Sequence, residues 1–140
     1  MTYRFLPDVA LADIAFEAES GSVDGLFETC GLAITDIMVD PRTLRMTTQR
    51  KLSLQSENLD RLLYDFMTEL IIMKDVDSLL FGEFRVRVSP AGTSLEAVAK
   101  GEQIDRERHR LRNDVKAVTM HLFGVRHKGK TWRTTVVLDI

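Results

Sequence analysis

Val23, Leu26, Phe27, Cys30, Ala33, Ile34, Ile37 and Met38 recur at the spacing of one helical face. A stripe of that width must be buried, so residues 23–38 predict an amphipathic helix that needs an apolar surface to lie on. Ser22 is placed to cap it, Asp24 sits favourably in its first turn, and Pro41 follows as a stop. Gly25 and Gly31 each weaken the helix by about 1 kcal/mol relative to alanine. A second stripe consists of Leu59, Leu62, Leu63, Phe66, Leu70, Ile71 and Met73. Ser56 or Asn58 can cap that helix, and it should end between Lys74 and Asp77.

The rest of the chain reads with period two or as turn. Tyr3–Leu6 is a short strand broken at Pro7, and Asp8–Leu11 is a loop. From residue 12 to 18, Ala12, Ile14, Phe16 and Ala18 face one way, with Asp13, Ala15 and Glu17 opposite. Thr43–Gln55 reads as one strand whose register shifts midway. Residues 79–88 and 94–100 pair as a hairpin around Pro90–Ala91–Gly92. An arginine-rich connection with helical character spans 105–112.

A strand over 114–121, continuing to 126, sets Val115, Ala117, Thr119 and His121 against Lys116, Val118 and Met120. After a turn at 127–130, Trp132, Thr134, Val136 and Leu138 alternate with Arg133, Thr135, Val137 and Asp139. Two helices among six or more strands predict an α+β fold. The two amphipathic helices would pack on a mostly antiparallel sheet in a single domain over residues 1–140.

At 44% hydrophobic and 29% charged, a chain of 140 residues belongs with soluble globular domains. It has no apolar run of the roughly 20 residues needed to cross a bilayer and no basic-then-apolar leader. The one cysteine, Cys30, lies on a helix face destined for the core, so a cytoplasmic protein with no membrane association is expected. The net charge of −2 is uneven: nine Lys/Arg and three acids fall between Asp105 and Arg133, against ten and eighteen elsewhere. Such asymmetry suits either a solvated face or a surface steered toward a charged partner.

Glycine-rich phosphate loops, paired-cysteine zinc spacings and common hydrolase motifs are absent. Lys116 interrupts an apolar face, which implies a snorkelling side chain or an acidic partner. Asp13 and Asp139 stand at the ends of two strands, and Ile140 carries the terminal carboxylate. They are either ordinary solvated acids or, where the strand ends meet, hard oxygen donors suited to calcium or magnesium.

Ala12–Asp13–Ile14, Leu26–Phe27–Glu28, Leu62–Leu63–Tyr64–Asp65–Phe66–Met67–Thr68–Glu69–Leu70 and Gly101–Glu102 stand in order along the chain, followed by the more specific Val115–Lys116–Ala117–Val118–Thr119–Met120–His121 and Asp139–Ile140. Through these residues the chain resembles the archease family over nearly its whole length. The family's often-seen His-Thr-Ala-Asp stands here as Ala10–Leu11–Ala12–Asp13, so the aspartate remains without the histidine and threonine. The resemblance implies a non-catalytic accessory protein for RtcB-type RNA ligases in tRNA splicing and RNA repair. Such a protein promotes ligase guanylylation and multiple turnover. An alternative for the family is a tRNA-binding chaperone of tRNA modification enzymes such as methyltransferases, here through basic residues 106–133. It also implies a divalent cation, typically calcium, held by Asp13, Asp139 and Ile140, with Lys116, Glu102 and His121 serving ligase activation.

Overall fold

The computed structural model describes residues 1–7 and 13–140. The loop expected at Asp8–Leu11 and the replaced His-Thr pair at Ala10–Leu11 lie outside the described residues. Five strands form the first sheet: β1 (Thr2–Phe5), β2 (Asp13–Ser20), β6 (Ala117–Val118), β7 (Gly124–Lys128) and β8 (Thr131–Asp139). β8 lies at its centre, pairing with β2 along one edge and with β6 and then β7 along the other. A second sheet, in the order β3 (Thr48–Gln55), β5 (Ser94–Gln103) and β4 (Leu79–Val88), is likewise antiparallel.

The alternation read in the two termini decides which side of the first sheet is buried. Ile14, Phe16 and Ala18 lie opposite Leu138, Val136 and Thr134, and the apolar members of this set join the core. Phe16, Val136 and Leu138 are completely buried, each contributing about 1.5–3 kcal/mol of transfer free energy. Asp13, Ala15 and Glu17 therefore share the other face with Asp139, Val137 and Thr135.

α1 (Val23–Met38) packs on β2 and β8 of the first sheet and on β4 of the second, so one helix joins both. Ser22 caps it by accepting from the Gly25 amide at 3.0 Å. The helix-propensity cost of Gly31 has a packing reason: a Cβ there would stand 2.8 Å from the Phe84 ring. α2 (Leu59–Asp77) starts at Asn58, whose side chain accepts from the Arg61 amide at 2.9 Å. It ends at Ser78 in the left-handed conformation, at φ 56°.

Three segments depart from a pattern-only reading. The single strand expected over Thr43–Gln55 begins only at Thr48, because Asp40 caps a 3-10 turn at Pro41–Thr43. The connection 105–112 is turn rather than helix, held by side chains treated below. The strand expected from 114 to 126 is split. Val118 pairs with Leu138 and Gly124 with Thr135, so residues 119–123 oppose only Val136 and Val137. That excess expels Met120, His121 and Leu122 from the sheet edge.

Candidate functional site

Asp13 and Asp139 are direct partners across the β2–β8 ladder. In antiparallel strands such partners point to the same face with Cβ atoms about 5 Å apart, and like charges there repel. Asp13 is half-buried and Asp139 exposed, and neither carboxylate has an ion-pair partner within 4.0 Å among the described residues. Asp139 is also the partner of Ala117 on its other side, and its carbonyl accepts from the Lys116 amide at 2.8 Å. One strand end thus gathers Asp13, Asp139, Ile140 and Lys116.

This is an all-oxygen donor set of two carboxylates and main-chain carbonyls, which fits a hard divalent cation completed by water. Among the described residues, no three His, Cys, Asp or Glu side chains come close enough together to hold a metal ion. The carboxylates alone could supply only part of a coordination shell.

Lys116 is exposed, as a snorkelling side chain is, and no carboxylate lies within 4.0 Å of it among the described residues. Its strand is fixed by another lysine that periodicity does not single out. Lys74, on α2 and only 8% exposed, donates to Asp114 Oδ1 at 2.6 Å and to the Val115 carbonyl at 2.7 Å. It also pairs with Asp75 at 2.6 Å. Burial works against its charge, but the Asp114 and Asp75 bonds outweigh that and raise its pKa. The result is a peg from the second helix that fixes the chain just ahead of β6. His121 is exposed on the expelled turn, whose next residue, Leu122, has φ 57°. It is not a core histidine.

The buried histidine is His109, and its partner is Glu102 on β5 of the other sheet. His109 Nδ1 accepts from the Asp105 amide at 2.9 Å, so Nε2 carries the proton and donates to Glu102 Oε1 at 2.6 Å. Arg108 closes on the second carboxylate oxygen, and the Arg45 amide donates to Oε1 at 2.8 Å. Arg108, burial acting in opposition, His109 and the Arg45 amide together bring the Glu102 carboxyl down to about 2. Glu102 therefore ties down the arginine-rich connection. Arg112 similarly pairs with Asp36, so two arginines of the basic segment are structural.

An α+β protein with a facing carboxylate pair at the end of its central strand is the class these observations define. Residues 3–140 match the model of the Archease protein family. An archease of Thermococcus gammatolerans is 37% identical over 112 residues, covering 79% of each chain. The solution structure of Methanobacterium thermoautotrophicum protein 1598 superposes with a TM-score of 0.85 at 30% identity, covering 99% of this chain and 98% of that one. The crystal structure of an archease from Thermotoga maritima, described as a possible chaperone, has a TM-score of 0.68 at 19% identity and 96% coverage of both, a likeness of fold alone. The chain belongs to the archease family.

Proposed function

We propose that this protein is a non-catalytic activator of an RtcB-type RNA ligase in tRNA splicing or RNA repair. It acts in the cytoplasm by promoting ligase guanylylation and repeated turnover. The observation that carries the reading is the direct pairing of Asp13 with Asp139. Two adjacent carboxylates cost stability unless something neutralises them, which favours a site built for a cation over a structural contact. Asp13, Asp139 and a main-chain oxygen of Ile140 hold calcium in this proposal. A bound divalent cation supplies a positive centre for phosphate oxygens of a nucleotide. Lys116, exposed beside Asp139, offers its ammonium to the same phosphates or to an acid of the partner. Glu102 acts by positioning the 104–112 connection, and His121 meets the partner from the expelled turn.

The test is to incubate the protein with a cognate ligase, GTP and calcium, and to follow the ligase–guanylate adduct. Faster adduct formation by wild type, lost in Asp139→Ala, is expected. Equal adduct formation with and without the protein removes the reading.

A second reading, a chaperone of a tRNA modification enzyme with tRNA contact through basic residues 106–133, draws on the possible-chaperone description of the Thermotoga protein. It requires tRNA affinity that falls steeply with salt. A gel shift with tRNA at low salt tests it, and no shift removes it.

A further inference from the structure

The hairpin at the opposite end of β8 from the carboxylates carries a feature that neither the core nor the acidic pair uses. His127 and Trp132 are cross-strand partners whose rings lie 3.7 Å apart and 6° from parallel. His127 is exposed, and Trp132 packs partly on the core, so the imidazole is the outer layer of a stack anchored in the fold. Among the described residues no other aromatic ring stacks on either. The two strands are joined by Gly129 and Lys130 alone. Gly129 at φ 62° is the first central residue of a two-residue turn whose twist matches the strands.

Charge is dense on this hairpin. Arg126 and Arg133, the next cross-strand pair, point to the opposite face, where Arg133 reaches Glu19 at 2.6 Å and both arginines lie within 4.0 Å of Glu17. Lys128 and Lys130 have no carboxylate within 4.0 Å among the described residues, and both are exposed. An exposed ring with a fixed backing, Lys130 at the hairpin tip, and Lys128 on the opposite face of the edge strand, whose flexible four-carbon stem can fold round that edge, together match a flat base on a phosphate chain. Stacking takes any base, and lysines act as point charges on phosphate.

We propose that the β7–β8 hairpin is a platform for single-stranded RNA, one base stacking on His127 with flanking phosphates on Lys128 and Lys130. The inference rests on the RNA-contact part of the second reading and places that contact at one hairpin; Arg108 and Arg112 of the basic segment are occupied by Glu102 and Asp36.

Trp132 is the only tryptophan, so its emission reads the platform directly. Octaadenylate added to the full chain is expected to quench it. The logarithm of the affinity should fall with that of salt at a slope of about −1.4, for two phosphates at about 0.7 each. His127→Ala should weaken binding roughly tenfold, and His127→Phe, which keeps a stacking face, should restore it. Replacing Lys128 and Lys130 together by alanine should weaken binding and flatten the slope.

The proposal is overturned if wild type shows no quenching, if the His127 and lysine variants bind like wild type, or if polyphosphate quenches as RNA does. Polyglutamate competing as well as RNA would also overturn it by assigning the hairpin to an acidic protein. If tRNA still shifts the protein in gels while the hairpin variants bind normally, RNA contact survives and the platform falls. If tRNA gives no shift at all, both fall.

Discussion

The protein handles carboxylates in two opposite ways. At Glu102 a buried carboxylate meets Arg108, the Nε2 proton of His109 and the Arg45 amide, so both oxygens face donors. At Asp13 and Asp139 two carboxylates meet each other across a ladder. The first arrangement is complete by itself and holds a long connection in place. The second is electrostatically incomplete, which is why the proposed cation is assigned to it. A strong downward shift does not by itself mark a functional carboxyl, since that of Glu102 comes from its structural partners.

The contrast can be broken by measurements whose signs differ. Removing Glu102 should give the largest effect. Glu102→Ala leaves Arg108, His109 and the Arg45 amide without their acceptor and should cost about 2–3 kcal/mol in urea unfolding. Its pH dependence follows from a carboxyl lowered from an ordinary 4.5 to about 2. The stabilisation is complete above pH 4.5 and is lost as pH falls through about 2, so the gap between wild type and Glu102→Ala should close over that window. Calcium should act next and only at the other end. At a hundredfold excess over its Kd it should stabilise wild type by about 2.7 kcal/mol in thermal unfolding, and Asp139→Asn should abolish the effect. A calcium shift that survives Asp139→Asn would dissolve the contrast.

Leu122→Gly should stabilise the protein by up to about 1 kcal/mol, because Leu122 is exposed and holds a left-handed backbone. Smallest, and most telling in sign, is Asp139→Asn without calcium. It should raise stability by a few tenths of a kcal/mol, where loss of Glu102 lowers it. A destabilised Asp139→Asn in chelator would make the pair structural after all.

Much of the first sheet was legible because β2 and β8 alternate, setting Ile14, Phe16, Val136 and Leu138 on one face against Asp13, Glu17, Arg133 and Asp139 on the other, although Ala15 and Val137 of that second face are buried too. The same alternation put Asp13 and Asp139 on the outward side, although only the register could make them neighbours. Of the two readings of Lys116, the snorkelling one fits its exposure; what misled was the continuous strand expected over 114–126. Periodicity describes a strand that is uninterrupted, and the five-against-two bulge at 119–123 leaves no trace in alternation. The knot at Glu102 was half legible. Its glutamate could be named, but His109 seven residues on reaches back to it only because the intervening turn folds over. Lys74 was read as an ordinary end-of-helix residue. Its acceptors lie 40 residues away at Asp114 and Val115, a separation no local pattern spans.

β8 carries Trp132 near one end and Asp139 at the other, buried over most of the length between. Seven residue steps along a strand measure about 23 Å. The chain therefore contains a stiff ruler with a cationic mark and an anionic mark at fixed spacing. A partner that engages both must present its own complementary marks at that distance, and a shorter one must choose an end.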